Sequence, residues 1–285
     1  MGDAKRKKLA GRAEPSTAAR YNELRQIFDR LGVDCSRPGF YDDPRFLDEE
    51  RRNPLFIETY AEWVLSRERT AEYDAMVRDV VPRLAALIEA RVIRHNWNGA
   101  CIAISGIVTK TLDRLGIWNI PMAGSASIYV GDNSRHFTIV DDNEGVGFDT
   151  GHMWIIAPPY DVVDTTLHYQ RWQGDAFQSL IPKVILADRT DIVKARVQDV
   201  VAPDIRRRHP RDQDLHYKLF RDQRRILTMF PARSFVSGQA DIRYVPAGIR
   251  VPDGPLEDIN SEGRAGVPAI DIWREDIMRE FNLTD

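Results

Sequence analysis

The chain has 285 residues, enough to bury a sizeable core as one large domain or as a core with helical additions. Its apolar share of 43% and charged share of 29% suit a globular protein, and a net charge of −3 gives no global field for nucleic acid or an anionic membrane. Two cysteines, Cys35 and Cys101, exclude a disulfide scaffold and point to free thiols in a reducing compartment.

Residues 1–16 carry Lys5, Arg6, Lys7 and Lys8 without an apolar run, so they read as a flexible basic tail and not a secretory signal. Arg6 stands where N-myristoylation of Gly2 wants Ser or Thr. No run of about 18 apolar residues occurs, so a membrane span is not expected and the chain reads as cytoplasmic. "STAARYNELRQIFDRLGV" then spaces Tyr21, Leu24, Ile27, Phe28 and Leu31 helically behind an N-cap at Ser16 or Thr17. "RPGFYDDPRF" reads as a turn-rich connector. "PLFIETYAEWVLSRE" and "AEYDAMVRDVVPRLAALIEARVI" read as two further amphipathic helices, with Pro82 kinking the second. Residues 17–95 are therefore expected to form a helical N-terminal region.

The pattern changes at residue 96. "NWNGACIAISGIVTKTLDRLGI" opens on turn formers and runs into a helix, after which "SASIYV", "RHFTIVDD", "HMWIIA" and "YDVVDTT" read as short strands punctuated by Gly145, Gly147 and Gly151. One helix followed by an antiparallel meander predicts an α+β fold whose core spans 96–170. Residues 171–285 read as a mixed α/β region packed on that core. Within it "PKVILAD" is an expected strand, and "DIVKARVQDVV" and "DQDLHYKLFRDQRRILTMF" are expected helices. "SFVSGQADIRYVPAGIRV" then reads as strands, "PDGPLEDINSEGRAGVP" as a surface loop and "PAIDIWREDIMREF" as a final helix.

Cys101 stands where the turn becomes a helix. A thiol there meets unpaired backbone N–H groups and the positive end of the helix dipole, which favour the thiolate and can receive an oxyanion. A buried packing cysteine is the alternative reading. The hairpin "GHMWIIAPPYDVVDTT" supplies partners. With a three-residue corner at Ala157, Pro158 and Pro159, Ile156 opposes Tyr160, Trp154 opposes Val162 and His152 opposes Asp164. Opposed Cβ atoms lie roughly 4.5–5.5 Å apart, close enough for a carboxylate to hold an imidazole. Asp161 then falls on the other face. Cys101 is thus the candidate nucleophile, His152 the base and later the acid, and Asp164 the residue that fixes the imidazole.

A cysteine at a helix start, "LDRLGI" at the helix end, the strand "GSASIYV", then "GHMW" and "VVDTT" resemble the transglutaminase-like superfamily of papain-like thiol enzymes. That group shows a cysteine, a His-any-Trp strand and a Val-Asp-Pro-Thr strand in this order. The resemblance covers roughly residues 95–170 and implies a nucleophile-bearing helix packed on an antiparallel sheet. It also implies acyl transfer through Cys101, His152 and Asp164, either as hydrolysis (protease, amidase or deamidase), which is preferred, or as transfer to an amine. A peptide, protein or small acyl compound is the implied substrate, with no cofactor and no metal. Thr165 departs from the family's proline. The polar residue that completes the oxyanion hole falls to Asn98 or Asn96, and Trp97 and Trp154 are candidates to line the site.

His136 competes as a base or as a lining residue, or is a half-exposed strand histidine. A zinc site from His136, His152, Asp161 and Asp164 lacks any close ligand spacing. His95 and His168 read as structural. Arg206, Arg207, Arg208, Arg211, Lys218, Arg221, Arg224 and Arg225 could contact phosphate, but Asp212, Asp214 and Asp222 between them favour a solvated face of local ion pairs. A non-enzymatic module that contacts protein or nucleic acid through residues 206–225 is the alternative function.

Overall fold

A computed structural model describes residues 17–141, 145–146 (backbone only), 151–172, 174–252, 254–259 and 266–284. The basic tail, the Ser16 cap, Gly147 and part of the 252–268 loop lie outside the described residues. The fold is mixed α+β, with helices on both sides of an antiparallel sheet.

The helical periodicity of the first hundred residues yields α1 (Thr17–Leu31), α2 (Pro44–Arg52), α3 (Ile57–Ser66) and α4 (Ala71–His95), with Pro82 inside α4. The connector is more ordered than its turn formers suggest. Asp43 caps α2 by accepting from Arg45 N–H at 2.8 Å, and Pro44 takes the first helical position, where a missing N–H costs nothing. Helix α5 (Cys101–Arg114) follows the turn after Asn96, which ends α4 in a left-handed conformation.

The strands are β1 (Ile120–Val130), β2 (Asn133–Phe137), β3 (Val140–Asp141), β4 (Gly145–Val146), β5 (His152–Ala157), β6 (Tyr160–Asp164), β7 (Ile185–Ala187), β8 (Asp191–Ile192), β9 (Arg233–Ser237) and β10 (Ala240–Ile249). The main sheet runs β7-β6-β5-β1-β10-β9-β8. One edge of β1 pairs with β10. Its other edge is shared, with β5 on residues 120–124 and β2 on 126–130. A strand from near the C-terminal end thus lies beside β1 at the middle of the sheet.

Four expectations are corrected. The run 135–142 breaks between β2 and β3, because the Ser125 hydroxyl accepts the Ile139 N–H at 3.0 Å and draws the chain off β1. The helix expected at 191–201 is instead β8 followed by the single turn α6 (Val197–Val200). The open edge of β9 captures this backbone, and Val193 N–H donates to Ala232 O at 2.9 Å. After α7 (Pro203–Arg208), the single helix expected over 212–230 is α8 (Leu215–Leu219) and α9 (Gln223–Met229). Phe220 leaves helical geometry between them and turns its ring onto the apolar cluster around Val197, Val200 and Leu215. The 252–268 loop is anchored by buried Leu256 and Ile259. The chain closes with α10 (Ala269–Ile272), a π turn and α11 (Met278–Glu280).

Alternation along β1 separates two cores. Ile120, Met122, Ala126 and Ile128 face the aromatic cluster of α1–α3, where Phe28, Phe40, Tyr60 and Trp63 meet edge to face. Each buried aromatic side chain there contributes roughly 1.5–3 kcal/mol. Helix α5 covers the opposite face of β5, with Ile104 and Ile107 against Ile155 and Ala157.

Asp113 ties α5 to the connector. It accepts from Tyr41 Oη at 2.6 Å and from Asn119 Nδ2 at 2.9 Å. Burial pushes its pKa up to about 7, against the opposing pull of the Tyr41 hydroxyl and Lys110. A carboxyl raised above its ordinary 3.8 favours the native state when protonated, so stability is expected to fall as pH rises from about 4 to about 7. Asp113→Asn removes that slope. Because Asp113 is only half-buried, water screens part of the effect, and the variant is expected to gain about 1–2 kcal/mol at pH 8. Urea unfolding of both proteins at pH 5 and pH 8 checks it, and parallel pH profiles reject it.

Candidate functional site

Cys101 is the first residue of α5. Ala100, at the cap, offers no side-chain acceptor, and the N–H groups of Cys101 and Ile102 have no acceptor among the described residues. The side chain packs on Ala123 of β1 and Met153 of β5 and stays 8% exposed, a narrow opening to solvent.

His152 is the first residue of β5. Its parity places it on the face opposite Met153, but at the strand end its ring reaches both Asp164 and the thiol. Two glycines allow this. At Gly151 (φ +85°) a Cβ would lie 2.3 Å from Gly124 O, and at Gly124 a Cβ would lie 2.2 Å from Val245 O and 2.8 Å from the Trp154 ring. The "G" of "GHMW" and the "G" of "GSASIYV" are thus positions where backbone meets backbone.

The hairpin register differs from the expected one. The corner is the two-residue Pro158-Pro159, with Ala157 opposite Tyr160, and an irregularity then brings Ile155 opposite Val163. The shorter corner and the irregularity each shift β6 by one residue relative to β5, so His152 and Asp164 are not directly opposed. They still share a face, and Asp164 Oδ2 lies 2.5 Å from His152 Nε2. Asp161 is held elsewhere, by the Thr190 hydroxyl at 2.6 Å and Arg233 at 3.6 Å.

Asp164 is buried and saturated. Its Oδ1 accepts from Thr166 N–H (2.8 Å), the Thr166 hydroxyl (2.9 Å) and Leu167 N–H (3.1 Å). Oδ2 accepts from the Tyr244 hydroxyl at 2.8 Å besides facing His152. Tyr244, on β10, is the residue that sequence reasoning missed. It lies 80 positions beyond Asp164, and only the pairing of β10 with β1 brings it there.

The electrostatics are those of a coupled group. Burial pushes the Cys101 thiol up, but the His152 ring and the Met153 N–H outweigh it and leave the thiol below its ordinary value. Burial pushes the His152 imidazole down, yet the Asp164 carboxylate and the Cys101 sulfur raise it on balance. Burial likewise opposes ionisation of Asp164, and His152, Thr166 and Tyr244 hold it below the usual carboxylate range. His152 Nδ1 completes no hydrogen bond, so the thiol contact is looser than one, as is common before substrate tightens a site.

Searches of protein-family models, of curated proteins and of solved structures found no match to this chain. The site therefore rests on its own geometry.

The other candidates are placed as follows. Trp154 packs on Tyr244 with ring centroids 5.0 Å apart and so backs the Asp164 pair. Trp97 is buried and stacks on His95. Asn98 is exposed, its Nδ2 donating to Asn96 Oδ1 at 2.6 Å. His136 lies between the Ser127 and Ser134 hydroxyls at 2.9 and 3.0 Å, and burial pushes its pKa down to about 4. His168 Nδ1 is engaged by Ile181 O. Among the described residues no three His, Cys, Asp or Glu side chains converge as a metal site, and no helix is long and apolar enough to cross a membrane.

Within the basic segment, Arg207 pairs with Asp204, Lys218 with Asp212 and Arg225 with Glu58. Arg224 stacks over Tyr217.

Proposed function

We propose that this protein is a thiol-dependent acyl-transfer enzyme of the transglutaminase-like kind, acting on an amide, ester or thioester carbonyl. The supporting observation is the buried relay from Tyr244 through Asp164 and His152 to a thiol at a helix start.

In this reading the Cys101 thiolate attacks the carbonyl carbon. The new S–C bond pushes the π electrons onto oxygen, which the free N–H groups of Cys101 and Ile102 receive. As the intermediate collapses, His152 gives its proton to the leaving amine, alcohol or thiol, and the acyl group stays on sulfur. His152 then takes a proton from water as the water attacks, and thiolate and imidazolium are restored. Asp164 remains ionised throughout, fixed by its donors. Hydrolysis is the simpler outcome, because transfer to an amine requires an acceptor site that keeps water out. The binding-module alternative has less support, since several cations of the 206–225 segment are already paired with carboxylates.

Brief incubation with p-nitrophenyl acetate, acid quench and peptide mapping should find an acetyl group on Cys101, not on Cys35, and none in Cys101→Ala. Acetylation confined to Cys35 or to lysines would reject the proposal.

A further inference from the structure

Beside the thiol, one strand away, lies an apolar groove. Cys101 packs on Ala123, and Ala123 pairs across the sheet with Gly248, which lines the groove. Ile139, on its wall, also abuts Gly151, the residue before His152. Two residues of the groove's lining, Gly248 and Ile139, are thus immediate neighbours of residues that flank the thiol and the imidazole. Leu55, Phe220 and Ile226 complete the apolar lining, and Leu55 stands 47% exposed, an apolar side chain left in water. The cavity measures about 350 Å³, within the range of roughly 300–1,000 Å³ usual for small-molecule sites.

The charges around it are unequal. Glu58 and Asp222 share one cation, Arg225, which pairs with Glu58 and lies 3.8 Å from Asp222. No spare positive charge on this wall can hold an anionic acyl group.

We infer that this groove is the acyl-side specificity subsite of the Cys101 centre and takes an uncharged apolar chain, rejecting a carboxylate-bearing one. The inference rests on the acyl-transfer reading above. Burying an apolar chain raises kcat/KM by stabilising the transition state, with about ten-fold or more per well-packed methylene at the favourable limit.

The test compares acylation of Cys101 by p-nitrophenyl acetate, hexanoate and hemisuccinate. Each rate is divided by that of N-acetylcysteine to remove the intrinsic reactivity of the ester. Hexanoate is expected to exceed acetate at least about ten-fold, and hemisuccinate to fall below acetate. Leu55→Glu, at an exposed position where a charge does not threaten the core, should cut the hexanoate-to-acetate ratio at least about five-fold. Val236→Ser, on the exposed far end of β9, should leave that ratio as it is. Phe220→Ser provides a second lining variant, expected to lower the ratio like Leu55→Glu. Equal normalised rates for the three esters, with Cys101 still acylated, would overturn the subsite alone. Failure of every ester to acylate Cys101 would overturn the acyl-transfer reading as well.

Discussion

His152→Ala is expected to slow the iodoacetamide labelling of Cys101 near pH 7 by about 10- to 100-fold. Only the thiolate reacts, and its share at a given pH falls ten-fold for each unit by which the thiol pKa rises. In the intact protein the His152 ring and the Met153 N–H hold that pKa down against burial. Without the imidazole, burial dominates and the pKa moves up. The wild-type rate should therefore rise at lower pH than the variant's, whose rate should climb only in the alkaline range. Truncating the buried ring can only open the way to Cys101, so slower labelling of the variant reports ionisation and not access. Superimposable profiles that follow an ordinary thiol would remove the chemical basis for Cys101 as nucleophile. His152→Gln, closer in size, guards against a packing artefact and should behave like the alanine variant.

Asp164→Ala should destabilise the fold by about 3–5 kcal/mol, because it strands a buried imidazole and four further donor contacts. Those contacts are the Thr166 N–H and hydroxyl, the Leu167 N–H and the Tyr244 hydroxyl. Asp164→Asn keeps an acceptor toward Thr166 and Leu167 and should cost about 1–2 kcal/mol, while losing the carboxylate that sustains the imidazolium. The loss depends on pH. The folded pKa of Asp164 is depressed, so its contribution is present above its ordinary 3.8 and disappears as pH falls through the folded value. The folded pKa of His152 is raised, so its contribution is complete below its ordinary 6.5 and is lost as pH rises through the folded value. The two describe one shared interaction and are not summed. The gap between wild type and Asp164→Ala should be widest between about pH 4 and 6.5 and should narrow above that range. Denaturant unfolding across pH 4–10 measures it, and a gap that widens with rising pH would contradict the pairing.

Helix α5 and its cysteine were legible because their signals are local. "NWNGA" supplies turn formers, the apolar spacing after it is helical, and a thiol at that junction needs no distant residue to be recognised. The hairpin was legible for the same reason, with apolar runs on either side of two prolines. Its register was not, because the shorter corner and the β-irregularity each shift the pairing by one residue, and together they keep Asp164 on the face of His152 but move it from opposite to a diagonal place. Tyr244 carried no local mark. It sits in an ordinary alternating strand, and its role exists only because β10 pairs with β1. The segment 191–201 does not keep the helix its periodicity predicts, because an open strand edge competes for it and prevails by supplying backbone partners.

The sequence by itself determined the α+β class and the helices whose apolar stripes recur every three to four residues, since each of these depends on neighbours within a few positions. Tertiary structure alone decided the hydroxyl that Tyr244 lends to Asp164 and the backbone contact that demands glycine at 124 and 151. It also decided the apolar groove that joins residues 54–58, 220–226 and 247–249 beside the thiol. Those features depend on strand pairing across tens to more than a hundred residues, where the partner is set by the best burial available to the whole chain and no local pattern encodes the choice.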